Sequence, residues 1–295
     1  MRKFLRALQR IILAPFRFLF WLPRGIIGWF SRTTSEISEF FTEEPEDAPL
    51  PDAFAKTIEN PMGLLEHINA LRKHLMRAVL FLALTTAISF VFAGRLLDLL
   101  AQPIGGIDKL QAIDVTEPLG VFMRVALLSG FSLALPYIAF ELWMFAAPGL
   151  SRRSRFYGLI AIPAVVIFFA AGMAFAFFVM LPQALPFLLG FLGINTIPRP
   201  SSYISFTTGL LFWIGIAFEF PLVIFVLAGI GLVKARSLAQ QWRLAVVAIA
   251  VLAAAITPTV DPVNMALVMG PMILLYFLSI GLAYLAQRGR VQAEI

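Results

Sequence analysis

The sequence predicts an all-α membrane protein with six transmembrane helices and an N-terminal amphipathic extension, and three observations carry that reading. The chain of 295 residues is 60% hydrophobic and only 14% charged, with a mean hydropathy of +0.88, which suits a polytopic helical bundle and not a large soluble core. Its long apolar runs are separated by short polar stretches. Lysine and arginine gather at the ends of those runs, as membrane orientation requires, and no basic patch interleaved with aromatics suggests nucleic acid.

The same composition excludes most chemistry. Cysteine is absent, so disulfides, thiol catalysis and thiolate metal sites are ruled out, and with only His67 and His74 a histidine metal site would need carboxylate help. There is no serine or histidine nucleophile constellation, no glycine-rich phosphate loop and no ligand cluster. No catalytic residue, no metal and no cofactor is therefore expected.

Residues 1–35 form the extension. Arg2, Lys3, Arg6, Arg10, Arg17 and Arg24 lie among large apolar residues with no acid before Glu36. Such spacing fits basic amphipathic helices in the interface of an anionic leaflet, broken at Pro15 and Pro23. Arg6, Arg10 and Arg17 interrupt every apolar core that a signal peptide would need, and an organelle presequence is the weaker alternative. Over residues 36–60 the charge reverses: Glu36, Glu39, Glu43, Glu44, Glu46, Asp47, Asp52 and Glu59 alternate with Pro45, Pro49 and Pro51. This is the pattern of an extended linker whose like charges stretch the chain.

The membrane domain, residues 61–290, opens with a surface helix over Met62–Arg77, where Leu64, Leu65, Ile68, Leu71 and Leu75 recur at helical spacing and Glu66, Arg72 and Lys73 take the other faces. A first span follows over Met76–Ala93, ended by Gly94 and Arg95. Asp98–Pro118 is too polar for lipid and reads as a structured loop. The second run, Leu119–Pro148, is about 45 Å long at helical rise, more than a hydrocarbon core of about 30 Å, so one end must tilt or protrude. A basic loop around Ser151–Arg155 leads to the third run, Tyr157–Leu181, and Pro182–Ser205 reads as a second polar loop. The fourth run covers Thr207–Val233. The fifth, Leu244–Ile256, is about 20 Å long and too short to span an unthinned bilayer. The sixth covers Asn264–Leu285. Basic clusters before span one, after spans two and four and at the C-terminus put both termini in the cytoplasm.

Glu219 is the feature that lipid-facing packing does not need. It is one carboxylate near the middle of an otherwise uncharged run, where insertion costs about 2.5 to 3.5 kcal/mol, so it should face protein or a wet cavity. Pro221, two residues on, frees a carbonyl one turn back and should kink the helix beside the acid. A glutamic acid merely hydrogen-bonded to a neighbouring helix is the structural alternative.

Four motifs in order resemble the TatC family, the polytopic receptor subunit of the twin-arginine protein translocase. They are His67-Ile68-Asn69-Ala70-Leu71-Arg72-Lys73-His74-Leu75, Trp143-Met144-Phe145-Ala146-Ala147-Pro148-Gly149-Leu150, Phe218-Glu219-Phe220-Pro221 and Thr257-Pro258-Thr259-Val260-Asp261-Pro262. The resemblance covers residues 61–290. It implies a glove-shaped bundle in the bacterial inner membrane that binds twin-arginine signal peptides of precursor proteins and assembles with small single-span subunits of the TatA/TatB type and with copies of itself. It also implies transport driven by the proton gradient.

The chain departs from the family pattern at several of its acids. Ala70 and Ser154 stand where the family usually carries carboxylates credited with reading the two arginines, Glu141 where glutamine is usual, Met265 where glutamine is usual and Phe277 where glutamate is usual. Glu66 lies one turn before Ala70 on the same face. The residues expected to bind the signal are accordingly Glu66, Glu141, Phe145 and Arg72. Glu219 and Pro221 would form an intramembrane polar hook or pathway, and Pro103, Pro148, Pro258 and Asp261 structural or assembly positions. Two other classes stay open on the sequence: a proton-coupled small-molecule transporter relaying through Glu219, and a divergent membrane scaffold without transport.

Overall fold

A computed structural model describes residues 61–149, 152–190, 196–257 and 262–291, all helical or in connecting turns. The extension 1–35, the linker 36–60, Pro258 and Asp261 lie outside the described residues.

Helix α1, Pro61–Ser89, joins the expected surface helix and the first span into one element. Between Gly63 and Gly94 no glycine or proline interrupts the chain, so the backbone ladder has no reason to stop at the lipid boundary. Its end is abrupt. Val91 N–H donates to Ile88 O at 3.1 Å and Phe92 N–H to Ser89 O at 3.0 Å, a tighter i to i+3 pattern, and the axis turns by 75° into α2, Ala93–Ala101. Asp98, expected in a loop, thus lies in a helix. The turn Gln102–Ile104 follows with the half-buried Pro103 in its first positions, and a second turn covers Ile107–Lys109.

Helix α3, Glu117–Ala146, has 30 residues and starts with Pro118, whose missing N–H costs nothing in a first turn. Helix α4, Arg152–Phe175, runs through a π-helical turn, Ala176–Met180, into α5, Leu181–Gly190. Helix therefore continues through Gly190, past the Pro182 at which the loop was expected. Proline normally ends a helix because its ring meets the carbonyl four residues back. Here the π turn has already widened the ladder, with Leu181 N–H bonded to Ala176 O, and Pro182 is tolerated.

Helix α6, Pro200–Gly229, likewise starts inside the expected loop, with Pro200 at its first position and Pro221 in its interior. A short helix α7, Ala235–Gln240, precedes α8, Trp242–Ile256, and α9, Pro262–Val291, closes the described chain. Among the described residues, four helices are long and apolar enough to cross a membrane. The bent α1–α2 pair adds a fifth span, and α8, with 15 residues, is the short fifth run of the sequence. These six apolar segments account for the six predicted.

Helices α3 and α6 occupy the middle of the packing: α1, α2 and α4 lie on α3, while α4 and α9 lie on α6, and α7 and α8 lie on α9. Val121 and Val125 of α3, Met180 and Leu181 of the third span, Ile204 and Ile214 of α6 and Val268 of α9 form one buried core. Without a hydrophobic drive between helices in lipid, close approach comes from small residues. A Cβ on Gly172 of α4 would lie 2.8 Å from the Cα of Gly215 of α6, and one on Gly130 of α3 would lie 2.6 Å from the Cα of Thr86 of α1. Thr85 uses the second approach, donating its hydroxyl to Gly130 O at 2.9 Å.

Candidate functional site

His67 and His74 stand seven residues apart on α1, two helical turns along one face. That face meets the last turns of α3. The His67 ring lies 4.5 Å from the Phe145 ring, and His74 meets the same ring edge-on at 6.3 Å. One turn before Phe145, Glu141 is 2% exposed. His74 Nδ1 lies 2.6 Å from Glu141 Oε2, and the Tyr137 hydroxyl donates to Oε1 at 2.5 Å. An ionised carboxylate only accepts, so Nδ1 carries the donated proton. A buried charge requires such partners. Phe81 of α1 stacks on Tyr137 at 4.3 Å and completes the seam.

Beyond Phe145 the α3 carbonyls end, and Arg155 receives them. It is buried, with Nε donating to Ala147 O at 2.9 Å and one guanidinium nitrogen donating to Pro148 O at 3.5 Å. Trp143 Nε1 in turn donates to Arg155 O at 3.2 Å. A guanidinium at a helix C-terminus satisfies orphan carbonyls and the macrodipole together. The basic loop expected around Ser151–Arg155 is in part the first turn of α4, and it directs Arg155 inward.

Of the four residues expected to bind a signal, the structure brings Glu141 and Phe145 together, with His67 and His74 against them. Glu66 precedes the ring-stacked His67 and is exposed, as is Arg72. Neither makes a hydrogen bond or ion pair among the described residues. His74 and Tyr137 were not singled out by the sequence. Tyr137 could have been, at one turn from Glu141, whereas His74 is 67 positions away and only the fold pairs it.

Glu219 lies half-buried on α6, between the buried Gly215 and Pro221. Its Oε1 is buried with no hydrogen-bond partner among the described residues. Phe218 beside it packs on Phe175 of α4, with ring centroids 5.7 Å apart. Met265, at a usual glutamine position, packs half-buried against the main core, and Phe277 is exposed.

A second polar cluster, also missed by the sequence, ties the opposite ends of α3 and α6. Glu117 Oε1 accepts Arg199 Nε at 3.0 Å and the Ser201 hydroxyl, while Oε2 accepts Ile113 N–H at 2.9 Å. Tyr203 adds a bond from its hydroxyl to Leu100 O at 2.7 Å. In the preceding turn the Asp114 carboxylate accepts Thr116 N–H and its hydroxyl, and these bonds hold it below the usual carboxylate range. The arrangement is a clamp on two loops.

The family profile of the Sec-independent protein translocase protein TatC matches residues 66–271. The chain is 35% identical over 228 residues to the translocase protein TatC of Carboxydothermus hydrogenoformans, covering 76% of this chain and 94% of that one. It is 35% identical over 248 residues to the protein of the same name from Deinococcus radiodurans, covering 81% and 91%. Two crystal structures of the twin-arginine translocase receptor TatC are similar. One aligns with a TM-score of 0.66 at 31% identity, covering 75% of this chain and 99% of that one. The other, in DDM, has a TM-score of 0.67 at 32% identity, covering 74% and 99%. Together with the six apolar segments, these similarities show that the chain belongs to the TatC family, multi-pass membrane components of the Sec-independent protein translocase and not catalytic enzymes.

Proposed function

We propose that this chain is the signal-peptide receptor of a twin-arginine translocase, placed in a bacterial inner membrane with both termini in the cytoplasm. It binds precursors on the α1–α3 seam around Phe145 and nucleates a complex with small single-span subunits of the TatA/TatB type, with transport driven by the proton gradient. The observation that carries this is the Phe145 ring held between His67 and His74 with the Glu141 carboxylate one turn away. A twin-arginine motif presents two guanidinium forks, which need carboxylates or carbonyls at bonding distance. Ala70 and Ser154 supply none from their side chains, so Glu141 and Glu66 take that role, with Arg72 a further candidate on α1. Glu141, desolvated, contributes about 1.5 to 3 kcal/mol to such a pair, and exposed Glu66 below about 1 kcal/mol.

The other residues fall into supporting roles. Glu219 and Pro221 serve a partner's transmembrane helix as a polar hook, since an intramembrane acid with an unmet oxygen is functional by default. Pro103 and Pro148 shape the turns that set helix ends, and Pro258 and Asp261 take the structural or assembly role that the resemblance implies.

The test is crosslinking of a precursor carrying a photoreactive residue next to its two arginines. Crosslinking to the wild-type complex should fall strongly in a Glu66→Gln, Glu141→Gln double mutant and less in either single, with Glu141→Gln the larger effect. Unchanged crosslinking in the double mutant means that these acids do not read the arginines.

A further inference from the structure

The Glu141 carboxylate is already occupied. Its two partners among the described residues are a phenol and an imidazole, and neither is an obligatory cation. A phenol carries no positive charge, and an imidazole, unlike a guanidinium, is not a permanent cation. Arg77 of α1 is near enough to act on Tyr137 but forms no ion pair with Glu141 among the described residues. From α4, Arg155 is turned onto the Ala147 and Pro148 carbonyls. A buried carboxylate held by neutral donors keeps its appetite for a cation.

The two partners also differ in how they could leave. Tyr137 belongs to the same helix as Glu141 and is stacked on Phe81, so it fixes the carboxylate. His74 comes from the facing helix, and its side chain is 18% exposed against 3% for that of Glu141. His74 thus lies nearer the surface than the carboxylate, and its imidazole covers Oε2.

We propose that His74 is a specificity-determining residue that holds Oε2 of Glu141 until a signal arginine displaces it. This rests on the twin-arginine reading above. Exchange favours arginine over lysine on geometry, since a planar fork can replace the imidazole N–H while Tyr137 retains Oε1, and a guanidinium keeps its charge at every relevant pH. It follows that His74 competes with the ligand. Removing His74 should tighten binding, and a permanent cation at the same position should weaken it. A merely structural histidine predicts the opposite for the first change, because loss of a packing contact loosens the site.

The experiment measures the affinity of a fluorescent signal peptide containing Arg-Arg, and of its Lys-Lys counterpart, for the purified full-length protein in nanodiscs. Wild type should prefer Arg-Arg. His74→Ala should bind Arg-Arg more tightly than wild type, whereas His74→Arg and Glu141→Gln should bind it more weakly, on the order of ten- to hundredfold. Monodispersity and thermal unfolding confirm that each variant is folded, and if His74→Arg is not, His74→Ala decides alone. Weaker or unchanged binding in folded His74→Ala overturns the exchange, as does undiminished binding in Glu141→Gln. Equal wild-type affinity for the two peptides overturns instead the twin-arginine reading on which it rests.

Discussion

Glu141 and Glu219 are both acids in apolar helices, yet their surroundings set different tasks. Glu141 has each oxygen bonded within the chain, whereas Glu219 keeps a buried oxygen without a partner among the described residues. The second arrangement is costly in isolation and becomes favourable when a partner donates to it. Glu219→Ala should therefore leave the protein inserted in the membrane but abolish transport or reduce capture of the single-span subunit, measured by co-purification. A hydrogen bond between spans is worth about 1 to 2 kcal/mol, so the loss of capture can be partial. Full transport in that mutant would remove Glu219 from the mechanism. The sequence marked both acids, Glu219 because it breaks an apolar run and Glu141 because it stands where the family usually carries glutamine. It could not show which one was satisfied, since the deciding partner of Glu141 comes from a helix 67 positions earlier.

At the scale of elements, apolar periodicity located every span, and the misjudged boundaries have physical causes. Phe90-Val91-Phe92 carries a 75° turn with neither glycine nor proline, so nothing in local propensity marks it. Pro182 and Pro186 read as helix breakers, yet the π turn before them lets α5 continue to Gly190. Pro200 reads as loop for the same reason and is in fact a helix start. The closest helix approaches rest on glycine. Gly172 faces Gly215 so closely that a larger residue must push α4 from α6. Gly172→Leu should therefore lower stability by about 1 to 3 kcal/mol, measured by thermal unfolding in detergent. Gly209, whose added Cβ meets nothing within 4 Å, should tolerate alanine in the same assay.

For the whole molecule, the family match covers residues 66–271, leaving the basic stretch and the acidic linker outside it. An acidic, proline-rich linker holds few packed contacts of its own. Deleting residues 1–60 should leave the remaining helices folded, with an unfolding midpoint close to that of the full chain. The isolated peptide 1–32 should bind anionic vesicles, gain helicity there and release as salt is added. Equal binding to neutral vesicles at all salt concentrations would contradict an electrostatic anchor.

The same scale holds the claim that the chain works as a translocase receptor and not as a small-molecule transporter or an inert scaffold. Membrane vesicles containing this protein and its single-span subunits, given a folded precursor with an Arg-Arg signal, provide the most direct measurement. The precursor should become protease-protected when a proton gradient is imposed, and protection should vanish with a protonophore, with a Lys-Lys signal or without this chain. Protection that persists without the chain, or that never develops although the subunits assemble, would contradict the account.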